Sequence, residues 1–265
     1  MTDRIVYLNS ELYYDKQGAG SKTILLFHGF GQDHRAFETW SEAWKNEATT
    51  YRFDLYFHGK SSWLNHQLLQ KEDWKRILQL FFDQEKIECF EIVGFSIGAR
   101  FVFTTLELFP QRIKKIILLA PDGIHHHFWY HLATGTSLMR SLFRSMILKP
   151  MPLQSLIKFL KFFHLEDKNR LRWVEFQLST EEKRQRLYHA WIYFRLLKID
   201  LSQMCRLVNS RNIPVIFILG KFDTVIGAEK IRRVASTLKN HQFHLLHATH
   251  QGLIAEGINY IRSRR

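Results

Sequence analysis

The chain has 265 residues, 46% of them hydrophobic, enough for one large domain with a buried core and an insertion. Residues 1–10 show no basic segment followed by an apolar stretch, and no apolar run approaches about 18 residues, so neither a secretory leader nor a membrane span is expected and the cytoplasm is the default compartment. The formal net charge of +13 is concentrated in residues 123–206, which hold 14 Lys and Arg against 6 Asp and Glu; a solvated basic face or weak attraction to an anionic ligand or surface accounts for it, and without a recognition-helix, RNP or zinc-finger pattern nucleic acid is not an expected partner.

In chain order, short alternating runs at residues 4–8 and 11–15 predict an antiparallel hairpin. Gly18-Ala19-Gly20-Ser21-Lys22-Thr23 has the composition of a phosphate loop, but it lacks the Gly-Lys-Thr order and leads into a strand, which excludes that reading. Further strands are expected at 23–27, 49–54, 88–93, 115–119, 213–219 and 242–246, and the continuous Ile, Leu, Val and Phe content of the later ones suits strands buried on both faces of a parallel sheet. Regular alternation stops at Asp122 and resumes near Asn212. That interval has a helical pattern: Leu153, Leu156, Ile157 and Leu160 share a face beside Lys158 and Lys161, and Ser179 with Glu182 makes a capping-box signature ahead of residues 183–197. The predicted organisation is a core over 1–122, a helical insertion over 123–206 and a return to the core over 207–265. The two cysteines, Cys89 and Cys205, are expected as buried thiols.

Gly94-Phe95-Ser96-Ile97-Gly98 follows an apolar run and opens a helix-like segment over 97–109. Flanking glycines allow a strand to turn sharply into a helix, holding the serine in a strained conformation with its hydroxyl exposed at the carboxyl edge of a sheet. Five such residues alone also fit an ordinary tight turn. Other parts follow in a fixed order, however. The strand at 23–27 runs into His28-Gly29-Phe30-Gly31, the strand at 213–219 runs into Gly220-Lys221-Phe222-Asp223, and His250 comes last. Asp54-Leu55 followed by Phe57-His58-Gly59-Lys60-Ser61 completes the set. With these segments the chain resembles the α/β-hydrolase superfamily over about its first 120 and last 55 residues. Phe57 departs from the pattern, since a glycine usually stands there.

The resemblance implies an α/β-hydrolase fold: a mostly parallel eight-stranded sheet, helices on both faces, and a helical cap after the sixth strand covering the serine. It implies Ser96 as nucleophile, His250 as base and Asp223 as the acid that orients it, with the backbone N–H groups of Phe30 and Ile97 as the oxyanion hole. Two rivals stay open: His247 for the base and Asp122 for the acid, the latter otherwise capping the turn into the insertion. His125, His126 and His127 are consecutive and lack companion ligands at metal spacing, so a solvent-exposed turn is expected and no metal.

Arg100, one helical turn after Ser96, is expected either to brace the elbow or to meet a substrate carboxylate. Ser-Ile-Gly-Ala-Arg is similar to the Ser-Met-Gly-Gly-Arg of the SHCHC synthase family, pyruvate-eliminating lyases in which that arginine belongs to the active site. Ala99 departs from that pattern, and Trp129-Tyr130 is the candidate for the aromatic pair the family draws from its cap. The leading expectation is a serine hydrolase of a carboxylic ester, acting on a small molecule and needing no cofactor. A lyase or carbon-carbon-bond hydrolase with the same triad is the alternative, and a non-catalytic binding protein a third.

Overall fold

The computed structural model describes residues 2–124, 128–148, 168–198 and 200–264. Its strands form one sheet in the order β1-β2-β4-β3-β5-β6-β7-β8. β1 (Thr2–Tyr7) and β2 (Ser10–Gln17) are an antiparallel hairpin, closed by Leu8 and Asn9 at φ 46° and 62°. Two left-handed residues are what a tight two-residue hairpin turn requires. β2 is also antiparallel to β4 (Ala48–Phe53). From there β3 (Lys22–Phe27), β5 (Phe90–Phe95), β6 (Ile113–Leu119), β7 (Val215–Gly220) and β8 (His241–Leu246) are joined by parallel pairings only. This is the expected mostly parallel eight-stranded sheet, and it brings the carboxyl ends of β3, β5, β6 and β7 to one edge.

The chain divides into two compact units, Met1–His125 with Leu196–Arg265, and His126–Arg195. In the first, α1 (Glu38–Trp44) covers one face of the sheet, while α2 (Lys71–Glu85) and α3 (Gly98–Leu108) cover the other. The core beneath α2 and α3 is aromatic: Phe27 stacks on Phe53 at 5.0 Å, Phe53 meets Phe81 at 4.9 Å, and Trp74 meets Phe101 at 4.9 Å, all with essentially no exposure. Ring pairs of this kind add about 0.5–1.5 kcal/mol each beyond the area they bury.

The second unit contains α4 (Phe128–Thr134), α5 (Ser137–Leu148), α6 (Lys168–Leu178) and α7 (Glu181–Tyr193). Phe143 packs on Trp191 and Tyr188 at 5.6 Å each, and Arg184 Nε donates to the Ile147 carbonyl at 3.0 Å. The chain then returns to the first unit through α8 (Leu201–Ser210), whose buried Met204 and Val208 belong to the face that packs on α3. α9 (Ala228–Ala235) packs on β7 and β8, and α10 (Leu253–Arg262) lies beside α1, where the Trp40 indole N–H donates to the Ile254 carbonyl at 2.7 Å. Among the described residues no helix is long and apolar enough to cross a membrane.

Several expectations need correcting. The insertion is expected to end at residue 206, but α8 packs its apolar side on α3, and the unit boundary falls at Arg195/Leu196. Cys89 is exposed, because β5 begins one residue later at Phe90; Cys205 is half-buried, its Sγ 3.2 Å from Thr237 Oγ1. The N-cap of α7 is Thr180, whose hydroxyl accepts from the Lys183 N–H, while Ser179 bonds back to the Phe176 carbonyl and Glu182 pairs with Arg186. The amphipathic pattern at 153–163 and the histidines at 125–127 lie outside the described residues.

One half-buried carboxylate ties α2 to the sheet. Glu85 accepts from the Tyr14 hydroxyl at 2.6 Å, the Tyr51 hydroxyl at 2.9 Å and Lys16 Nζ at 2.7 Å. Burial, reinforced by the bond to Glu85, pushes the Tyr51 phenol up to about 12, and the three donors hold Glu85 below the usual carboxylate range despite its burial. Glu85→Ala would leave the Tyr14 and Tyr51 O–H groups without their acceptor, so a stability loss of about 2–4 kcal/mol is expected in urea unfolding. Unchanged stability would show that water replaces the carboxylate without cost.

Candidate active site

Ser96 leaves β5 at φ 50°, the left-handed region that a non-glycine residue enters only under constraint. The constraint comes from both sides. Its N–H donates to the Leu119 carbonyl at 2.9 Å, and its carbonyl accepts from the N–H groups of Ala99 and Asp122, each at 3.0 Å. The glycines make room: a Cβ on Gly94 would lie 2.6 Å from Val102 Cγ2, and one on Gly98 only 2.2 Å from the Phe27 carbonyl oxygen and 2.7 Å from that of His28. The close approach at Gly98 sets the start of α3 against the exit of β3, so Ile97 and the His28-Gly29-Phe30 turn are neighbours.

At that edge His250 joins two partners. Its Nε2 is 3.1 Å from Ser96 Oγ and its Nδ1 is 2.7 Å from Asp223 Oδ2. Asp223 follows β7, its side chain is fully buried, and its other oxygen accepts from the N–H groups of Val225 at 2.8 Å and Ile226 at 2.9 Å. A carboxylate so held presents one fixed lone pair to the imidazole, which places the Nδ1 proton on the Asp223 side and leaves Nε2 to accept from the serine. The His250 ring also packs on Phe95, centroids 4.9 Å apart. The side chains of the rivals take other partners. His247 is exposed, edge-on to Phe222 at 5.8 Å, and Asp122 pairs with Arg100, its Oδ2 accepting from Nε at 2.8 Å.

The turn after β3 is stiffened from beneath. His28 is fully buried; its Nε2 lies 3.0 Å from the Leu55 N–H and its Nδ1 2.7 Å from the Gly29 carbonyl. Since a backbone N–H only donates, Nε2 must be bare and the single proton sits on Nδ1, so the ring is neutral. Burial pushes its pKa down to about 4. The unfolded chain, with the ordinary value of 6.5, therefore binds the extra proton first: the stability this ring contributes is complete above pH 6.5 and is lost as pH falls toward 4, a span worth about 3 kcal/mol. In an NMR titration His28 should keep its neutral-ring shifts throughout pH 5–8, and a midpoint near 6.5 would contradict this placement.

Gly29 is pinned through its N–H, which donates to Gln32 Oε1 at 2.9 Å, and a Cβ there would strike the Phe95 ring at 2.6 Å. The neighbouring loop folds around buried Asp54: Oδ1 accepts from the His34 N–H at 2.6 Å, Oδ2 accepts from the Lys60 N–H at 2.8 Å, and Ser61 Oγ donates to the Asp54 carbonyl at 2.6 Å. Phe57 takes φ 66°, so the glycine-type conformation survives without the glycine. Asp33, His34 and Asp54 bring three ligand-type atoms together, but Asp33 pairs with Arg35 and His34 Nδ1 lies 2.8 Å from Asp54 Oδ1. The cluster is a hydrogen-bonded corner.

Of the predicted substrate contacts, Arg100 is largely buried and paired as above. Tyr130 is buried within the second unit, its hydroxyl donating to the Trp191 carbonyl at 3.4 Å and its ring edge-on to that indole; the Trp129 side chain lies outside what is described. Sequence reasoning missed Gln32, Phe95 and the Val225–Ile226 amides. Only the last had a local signal, because an aspartate two and three residues before free amides forms an Asx turn.

The fold agrees with comparisons to known proteins. A Mycoplasma pneumoniae protein named as a candidate esterase/lipase is 29% identical over 105 residues; the match takes in 38% of this chain and 36% of that protein, so it spans little more than a third of the relative. The thermophilic esterase of Thermogutta terrifontis superposes with a TM-score of 0.71 at 16% identity, covering 100% of this chain and 97% of its own. The bromoperoxidase of Bacillus anthracis gives 0.66 at 17%, covering 100% and 98%. At such identities the likeness is one of fold, and the two names show that this fold does not choose a reaction. The sequence profile of the α/β hydrolase fold matches residues 22–255, and the chain belongs to that family.

Proposed function

We propose that the chain is a serine hydrolase that cleaves a carboxylic ester. The observation that carries this is the continuous Ser96–His250–Asp223 hydrogen-bond chain, at 3.1 and 2.7 Å, with the serine held left-handed at the carboxyl edge of the sheet. In the reaction His250 Nε2 takes the Ser96 proton as Oγ attacks the ester carbonyl, and Asp223 stabilises the imidazolium that forms. The Phe30 and Ile97 N–H groups receive the oxyanion. Collapse of the tetrahedral adduct expels the alcohol, protonated by His250, and water then repeats the sequence on the acyl-serine. The names of the Mycoplasma and Thermogutta proteins point the same way.

An ester with an appreciable acyl or aromatic group is the proposed substrate class. The Arg100–Asp122 pair gives no support to the lyase alternative, which would want that guanidinium for a substrate carboxylate. The test is twofold: a fluorophosphonate probe should label Ser96, and p-nitrophenyl esters of rising acyl length should be turned over. Absence of both labelling and turnover would overturn the reading.

A further inference from the structure

We propose that Arg100 and Asp122 are positioning residues that aim the Ile97 N–H into the oxyanion hole; this deepens, and rests on, the serine-hydrolase reading. A trans peptide is planar, so the Ser96 C=O and the Ile97 N–H, which belong to one peptide unit, point in opposite directions. Whatever grips the Ser96 oxygen therefore aims the Ile97 proton. Two donors grip it, each at 3.0 Å: the Ala99 N–H from within the same turn, and the Asp122 N–H from the segment beyond β6. The second is the one that references the peptide to the sheet.

Asp122 needs a hold of its own, because it lies past the last residue of β6, where the chain leaves the sheet. Arg100 supplies it. The Nε–Oδ2 bond of 2.8 Å joins side chains that are only 9% and 16% exposed, so the pair is shielded from competing water. A closed circuit results, running from Ser96 through the first turn of α3 to Arg100, across to Asp122, and back to the Ser96 carbonyl. Ser96, within the circuit, takes φ 50°, and Ala120, two residues before Asp122, takes φ 40°. Such conformations persist only where the surroundings over-determine them. Hydrogen bonds to the Ser96 oxygen also polarise the peptide and strengthen its N–H as a donor.

A residue that acts through a transition-state donor changes kcat and leaves ground-state binding alone. With p-nitrophenyl butyrate, Arg100→Met and Asp122→Asn should each lower kcat by about 10–100-fold with KM within about twofold, part of what full loss of an oxyanion donor costs. The rate of Ser96 phosphonylation by a fluorophosphonate should fall by the same factor, as should affinity for a trifluoromethyl ketone, since both develop the oxyanion. The double variant should be no worse than the poorer single, because the two act as a unit. Arg100→Lys, which keeps a charge but loses the planar fork, should recover part of the rate and serves if Arg100→Met does not fold. The proposal is overturned if phosphonylation and kcat stay at wild-type rate while only the melting temperature drops, or if acidic esters alone lose activity, which would make Arg100 a substrate contact. A wild-type enzyme that neither labels nor turns over ester would defeat the serine-hydrolase reading instead.

Discussion

Ser96→Ala is expected to lower ester turnover by roughly 10⁴–10⁶-fold while leaving the melting temperature within a few degrees of wild type. The substitution removes one oxygen. Alanine suffers the same left-handed strain as serine at φ 50°, and the backbone bonds to Leu119, Ala99 and Asp122 that hold the elbow do not involve the side chain. His250→Ala should be about as damaging, because an unactivated serine hydroxyl is a poor nucleophile at neutral pH. Combining the two should add little, since either loss already disables the unit. His247→Ala should stay close to wild type, its ring being exposed against Phe222 and away from Ser96. Single-turnover labelling by a fluorophosphonate separates the cases cleanly. A Ser96→Ala protein that still turned over ester would place the chemistry elsewhere, and an inactive His247→Ala beside an active His250→Ala would move the base.

The parts of the site that were legible in the sequence are those whose residue types are dictated by backbone geometry. Gly94 and Gly98 advertise the elbow because a Cβ at either would clash, and Asp223 and His250, which line up with Ser96, stand out by the strands they follow. What the sequence could not reveal is which of several polar groups meet once the strands are brought together. Asp122 and Asp223 both follow core strands, and only the fold shows that one faces Arg100 while the other turns toward His250. Phe57 is the converse case. Its side chain departs from the glycine pattern, yet the loop closes on Asp54 through the Lys60 N–H and the Ser61 hydroxyl and on Leu55 through the His58 N–H, and Phe57 takes the left-handed conformation between them. The strands were found because buried parallel β-structure needs continuous apolar runs. The edge of the insertion was not, since α8 carries the same amphipathic pattern whether it packs on helices of the insertion or on α3.

Gly98→Ala separates two opposing rules at one position. Gly98 begins α3, and in a helix an alanine is more favourable than a glycine by about 1 kcal/mol, so propensity alone forecasts a more stable protein. Packing forecasts the reverse. The added Cβ would lie 2.2 Å from the Phe27 carbonyl oxygen, a backbone atom of β3 that cannot rotate away, and 2.7 Å from that of His28. Relief requires α3 to retreat from β3, which would open the Phe27–Phe101 ring contact beneath and draw Ile97 away from the His28-Gly29-Phe30 turn. The steric term should win, with a net loss of about 3 kcal/mol or more in urea unfolding and a matching collapse of serine labelling, because the two halves of the proposed oxyanion hole would separate. Gly227→Ala is the control. Nothing lies within 4 Å of its Cβ, and its φ of −72° suits any residue, so the entropy gained by restricting the unfolded chain should roughly offset the poorer N-cap of α9 and leave both stability and labelling unchanged. If Gly98→Ala instead raised the urea midpoint as Gly227→Ala stayed flat, helix propensity would govern the elbow, and the close approach of α3 to β3 would not be what orients Ile97.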